Sequence, residues 1–215
     1  MAHSTPAEAE FENAWQTEHH TRVELPPVDV NGILAQKYTG QDLPVLTRTQ
    51  LWDMEVRKAG NPGAFIPHVV REGSASAWLP GNPGQPLGDE FVRRSDQRLW
   101  LQQEEYGLVL EEVSLNHDRQ VVTFIGRAAF AGPDGEPLHA DARQPVFHVQ
   151  HGTDGAEEHP LNTWRIVLLT ETPDDRFGKF FDGLAADPYL PEFVEHYVRD
   201  VLGVALERRP WPETP

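Results

Sequence analysis

The chain has no cysteine among its 215 residues. That excludes disulfides, thiol catalysis and every cysteine-ligated metal site, so any metal would have to rest on His, Asp and Glu. It is also poor in lysine, with Lys37, Lys58 and Lys179 alone, and its net charge is −16. Such a chain repels phosphate backbones, and no basic stripe interleaved with aromatics offsets the repulsion. Nucleic acid and anionic membranes are therefore not expected as partners. No apolar run approaches the roughly 18 residues of a membrane span, and the first twenty residues have no hydrophobic signal core. The expectation is a soluble, cytoplasmic protein.

Two further absences narrow the chemistry. "GNPG" and "GPDG" lack the strand-to-helix setting and the lysine of a phosphate loop, and no Gly-x-Ser-x-Gly elbow exists. His148 and His151 are three apart, so on a strand they face opposite sides and cannot share a metal without a bulge. Neither a metal nor another cofactor is expected.

What is present reads as one domain spanning 21–209, with an arm over 1–20 and a tail over 210–215. Phe11 and Trp15 are spaced for a short helix, against the alternative of a frayed terminus. "TRVELPPVDV" is extended, and Pro26-Pro27 confines it to an edge or an end of a sheet. The spacing predicts a helix of about three turns from Thr47, with Thr47 as N-cap, Gln50 completing a capping box and Leu46 stapling onto Leu51. Leu51 and Met54 form its buried side, with Trp52 and Val56 as further candidates. Arg48, Asp53, Arg57 and Lys58 are expected in solvent, and Gly60 and Pro62 end the helix.

"HVVREGSASAWL", "YGLVLEEVSL", "RQVVTFIGRAAFAG", "QPVFHVQHG" and "NTWRIVLLTE" read as strands of an antiparallel meander, bounded by turn chemistry. The period then changes. Phe177, Phe180, Phe181 and Leu184 share one helical face, and beyond the break at Pro188–Pro191 so do Val194, Tyr197, Val198, Val201, Leu202 and Ala205. The fold class is α+β, an antiparallel sheet with helices gathered on one side.

"LTRTQLWDMEVRKAGNPGAFIPHV" and "LEEVSLNHDRQVVTF" resemble the first-helix and central-hairpin regions of AtaL-like members of the START/SRPBCC superfamily. The likeness covers about 80 residues and leaves out residues 1–20, the loop 80–90 and "HGTDGAEEHPL". It implies the helix-grip fold, a curved sheet wrapped around a long C-terminal helix with a ligand cavity between them. It also implies that Phe65 and Ile66 enter the rim of that cavity. The superfamily includes lipid-transfer domains, plant pathogenesis-related proteins and aromatic polyketide cyclases, and it has no shared catalytic motif.

The candidates for chemistry therefore come from the residues themselves. His148, between Phe147 and Val149, is read as inside, as a core histidine or a general acid or base. His139, His151 and His159 are placed in solvated loops. Tyr106 and Glu112 share parity with Leu108 and Leu110, so they line the cavity if those leucines do. Arg127 and Arg165 interrupt apolar strands and either hold a ligand carboxylate or carbonyl or lie on the solvent face. Trp52, Trp100 and Trp164, with Phe65, supply flat apolar surface for a ligand or for packing. Trp78 is assigned to a lid.

Two readings follow. One is a metal-free enzyme of secondary metabolism with His148, Tyr106 and Arg127 as catalytic candidates, promoting cyclisation, dehydration or isomerisation of an apolar, polyketide-like small molecule. The other is a carrier or sensor for such a molecule without chemistry. Substrate identity stays open, and a homodimer also stays open. A scaffold whose acidic surface meets a basic partner is a more distant third reading, with a filled interior.

Overall fold

The computed structural model of the chain describes residues 4–210; the expected tail from 211 onward lies outside them. Its centre is a seven-stranded, curved, antiparallel sheet in the order β1-β10-β9-β6-β5-β4-β3. The strands are β1 (Thr21–Asp29), β3 (Ser76–Trp78), β4 (Glu90–Leu99), β5 (Gln102–Asn116), β6 (Val121–Gly126), β9 (Phe147–Ala156) and β10 (His159–Leu168). Two small ribbons flank it: β2 (Tyr38–Thr39) with β11 (Glu207–Arg208), and β7 (Ala129–Ala131) with β8 (Pro137–His139). β1 is an edge strand, and its register on β10 shifts between Leu25 and Val28, where Pro26 and Pro27 cannot donate to the ladder. At the end of β6, a Cβ on Gly126 would lie 2.2 Å from the carbonyl oxygen of Phe147, so only glycine lets the two chains pass.

β4 is the strand whose text hides it. On the face where alternation would place apolar side chains it carries Arg93, Ser95 and Gln97, all buried. The period-2 signal is therefore polar there. The stretch read as one strand over "HVVREGSASAWL" is extended only at Ser76–Trp78, and Trp78 is buried against Phe130.

The helices are α1 (Pro6–Trp15), α2 (Val30–Lys37), α3 (Arg48–Gly60), α4 (Pro62–Phe65), α5 (Asp175–Ala185) and α6 (Glu192–His196), which continues as a π-helical turn over Tyr197–Val201. α3 starts as its sequence requires: Thr47 accepts from the backbone N–H of Gln50, whose side chain reaches back to the N–H of Thr47. Leu46 and Leu51 are fully buried in one cluster.

The C-terminal helical unit divides into α5 and α6, joined through Pro188 and Pro191, so the long helix is present in two shorter pieces. α5 sets Phe177 and Phe181 against the inner face of the sheet, while Leu184 is exposed. α6 and its π turn bury Phe193, Val194, Tyr197 and Val198 in a second cluster with Leu51, Met54 and Phe65. α3 is thus sandwiched between the sheet below and α6 beside it.

Not all helices share one side. α1 carries its own capping box, Thr5 with Glu8, and lies on the outer face, where Phe11 and Ala14 pack on Ile125 and Val167. The expected one-sided arrangement is corrected here. The cause is that both faces of β5, β6, β9 and β10 carry apolar side chains, and the outer set needs cover as well.

Candidate functional site

The sheet register decides what faces inward. Along β5, Val109, Glu111, Val113 and Leu115 point to the inner face; along β6, Phe124 does; along β9, Phe147, Val149 and His151; along β10, Trp164 and Ile166. α3 lies over these strands with Trp52, Glu55, Lys58 and Ala59 buried.

Three of those side chains form a buried charged group. Lys58 Nζ lies 2.6 Å from Glu55 Oε2 and 2.5 Å from His151 Nδ1, and His151 Nδ1 is 3.4 Å from Glu55 Oε2. Glu55 is fully buried and Lys58 is 3% exposed. The Lys58–Glu55 contact is ionic without hydrogen-bond geometry. Among the described residues Glu55 Oε2 is the buried side-chain oxygen left without a hydrogen bond, whereas Asn162 Nδ2 donates to Oε1 at 2.8 Å. Aromatic walls enclose the group. The Trp164 ring stacks on His151 at 5.0 Å, Phe193 lies 3.7 Å from Lys58 Nζ, and Phe124 meets His151 edge-on. Nearby, Arg93 donates through Nε to Glu111 at 2.7 Å and through a terminal nitrogen to the carbonyl of Ala59, with its guanidinium over Phe124.

Burial sets the titration of this group. Desolvation lowers the Lys58 pKa to about 8 against the opposing pull of Glu55. It lowers that of His151 to about 4, with Lys58 adding to the effect. Burial alone would raise the Glu55 carboxyl, but the Lys58 ammonium and His151 outweigh it and hold the group well below the usual range. At neutral pH the arrangement is a carboxylate, an ammonium and a neutral imidazole. Such a trio can hold or pass a proton inside an apolar wall.

Two expectations are corrected here. Lys58 is buried, because α6 closes the side of α3 that an isolated amphipathic helix would leave to water. His151 belongs to β9 and faces inward; Gly152 looked like a turn, yet the strand runs on to Ala156.

The other anticipated residues are dispersed. His148 is buried on the outer face beneath α1, where its Nδ1 accepts from the Gly126 N–H and desolvation lowers its pKa. Arg127 pairs with Glu10 of α1 and Glu112 of β5, and Arg165 pairs with Glu12 and lies 4.3 Å from the Trp15 ring. These contacts clasp α1 to the sheet. The Tyr106 ring has the Arg71 and Arg98 guanidiniums 4.5 and 4.8 Å from its centre, and Glu112 is on the outer face with Leu110. His148, Tyr106 and Arg127 thus do not meet on the inner face.

Trp52, Trp100 and Trp164 do face inward. Trp52 Nε1 donates to His117 Nδ1, and Trp164 Nε1 donates to Asn162. Trp100 packs on Phe147 at 4.3 Å and Phe181 at 4.9 Å and fills the space between the sheet and α5. Phe65 is buried beside His196 in the second cluster, because α4 turns it toward α6 and away from the sheet. A crevice of about 20 Å³ beside Phe147, lined by Leu99, Val109 and Gln144, has room for little more than one water.

The sequence did carry a signal for His151, since Phe147, Val149 and His151 alternate with His148 and Gln150. For Glu55 and Lys58 the sole trace is their i, i+3 spacing on α3.

No protein-family profile and no curated protein sequence matches the chain. Its architecture does match known structures. The ZhuI aromatase/cyclase of a Streptomyces species superposes with a TM-score of 0.52 at 11% identity, over 85% of this chain and 96% of that one. The chain has the helix-grip fold. Looser similarity links this helix-grip protein to Ara h 8.0201, at TM-score 0.47 and 8% identity over 83% of this chain and 99% of that one. The major latex-like protein 151 of Panax ginseng aligns at TM-score 0.46 and 12% identity, over 86% and 97%. No helix among the described residues is long and apolar enough to cross a membrane.

Proposed function

We propose that this helix-grip protein is a small-molecule enzyme that takes an apolar, polyketide-like or otherwise unsaturated substrate against the inner face of its sheet. There it promotes cyclisation, dehydration or isomerisation, with Glu55, Lys58 and His151 as the proton-handling group. The observation that carries this reading is that charged trio, buried beneath α3 among Trp164, Phe124 and Phe193. Burying an ammonium and a carboxylate gains little stability over apolar packing, so their presence within an apolar wall points to use. A fold shared with an aromatase/cyclase supports the reading, although fold alone does not determine chemistry. Holding a substrate among rigid aromatic rings orients its reacting atoms, and a positioned proton donor or acceptor adds roughly 100- to 10,000-fold.

Substrate would enter by displacing the Trp100, Phe177 and Phe181 rings, which pack against one another between α5 and the sheet. The test is native mass spectrometry of protein purified from its own host, with release and analysis of any bound compound. The compound is then incubated with fresh protein and with Lys58→Met. Conversion by the native protein that the variant loses is the expected result. Recovery of the compound unchanged in both would overturn catalysis and leave a carrier.

A further inference from the structure

The two ring nitrogens of His151 have different surroundings. Nδ1 faces Lys58 Nζ at 2.5 Å. A lysine ammonium has only donors to offer, so Nδ1 must accept, and a neutral imidazole that accepts at Nδ1 carries its proton on Nε2. The polar contacts of His151 with the described residues run through Nδ1, none through Nε2, and the side chain keeps 16% of its surface accessible although it lies beneath α3. The charges around it are Glu55 and Lys58 from α3 and Arg93 from β4; β6, β10 and α6 present Phe124, Trp164 and Phe193. Lys58 and Arg93 are already matched to Glu55 and Glu111. The Nε2–H is thus an uncommitted neutral donor, on a ring that stacks on Trp164 and lies 6.3 Å from Phe193.

We propose that His151, held as its Nε2–H tautomer by Lys58, donates the hydrogen bond that fixes a carbonyl oxygen of a planar conjugated ligand, with Lys58 as the positioning residue. This rests on the small-molecule reading above and names the ligand class of that site. A neutral donor in a water-poor wall binds a carbonyl and strengthens its hold as negative charge develops on the oxygen, without the penalty of bringing in another ion. An anionic ligand is disfavoured, since both cations are already paired.

The experiment uses two probes of matched shape, the ketone 2-acetonaphthone and the hydrocarbon 2-isopropenylnaphthalene, titrated against the full chain by tryptophan fluorescence. Long-range proton–nitrogen NMR reports the His151 tautomer at pH 7. The Nε2–H form is expected, together with a carbonyl stretch moved to lower frequency in the bound ketone. The preference for ketone over hydrocarbon should fall about tenfold in His151→Phe and survive in part in His151→Gln, whose carboxamide both accepts and donates. In Lys58→Met/Glu55→Gln, chosen because Lys58→Met alone strands a buried carboxylate, the NMR pattern should lose its single tautomer and the preference should fall likewise. An Nδ1–H form or an imidazolium in the native protein, or an unchanged preference in His151→Phe, would overturn the inference while hydrocarbon binding kept the apolar site intact. Failure of both probes to bind the native protein would remove the site itself and the inference with it.

Discussion

Replacing Lys58 by Met tests whether the inner-face charges form one unit. Lys58 Nζ and Glu55 Oε2 are 2.6 Å apart, and neither side chain is more than 3% exposed. At an effective dielectric of about 20, their attraction is roughly 6 kcal/mol. Desolvation of two ions costs several kcal/mol each, so the pair as a whole contributes little net stability. Removing one partner is different, because Glu55 stays ionised, buried and short of hydrogen bonds on Oε2. The expected loss is about 3–5 kcal/mol, measured by urea unfolding and accompanied by a fall in Tm of roughly 10 °C for a domain of this size. Lys58→Met/Glu55→Gln should recover most of that loss, since the amide is uncharged and its oxygen still accepts from Asn162.

The pH dependence has a definite sign. In Lys58→Met the largest charge opposing the desolvation of Glu55 is gone, leaving His151 and the Asn162 amide, so its folded pKa is expected to rise above the unfolded value. The penalty is then full above the folded pKa and shrinks as pH falls through it. A control is Arg57→Met, which breaks the exposed ion pair with Asp53 and should cost under about 1 kcal/mol. If Lys58→Met costs no more than that control, or the double variant is no better than the single one, the reasoning fails.

The native protein should lose stability as pH falls from about 6.5 to about 4. His151 has a depressed pKa in the fold, so the unfolded chain binds its proton first. Protonation of this one group is worth about 3 kcal/mol, and His151→Phe should flatten that part of the urea-midpoint profile. Phe181→Ala should cost about 3–4 kcal/mol through the cavity it leaves beside Trp100, yet speed ligand association in stopped-flow fluorescence; unchanged association would show that ligands take another route. On the outer face, Phe11→Ala should cost about 3–4 kcal/mol and expose the α1 segment to hydrogen exchange. Arg127→Ala should loosen α1 by about 1 kcal/mol, because its ion pairs are partly solvated. Equal exchange of α1 in Phe11→Ala and the native protein would contradict the packing described.

The amino-acid sequence by itself determined what is local. The start of α3 was legible because a capping box is written in four consecutive residues, Thr47 to Gln50. The edge position of β1 was legible because Pro26-Pro27 removes two ladder donors. The strands β5, β6, β9 and β10 were legible because β-branched and aromatic residues between turn signals suit a pleated, buried surface. Their order implied an antiparallel α+β layer, and the helix-grip arrangement was implied by the family resemblance of two short stretches.

The facing of the strands was decided only by the tertiary structure. β5 buries apolar residues at both parities, Val109 and Val113 on one face and Leu110 on the other, so nothing local could distinguish Glu111 from Glu112. A shift of one residue exchanges every inward and outward side chain. β4 was hidden for a related reason, since Arg93 is tolerable inside only because Glu111 of the next strand neutralises it. Lys58 likewise reads as a solvent residue until α6, about 140 positions later in the chain, closes over it and β9 brings His151 to its ammonium. A buried charge is made acceptable by partners distant in sequence, and those partners meet only when the chain has folded.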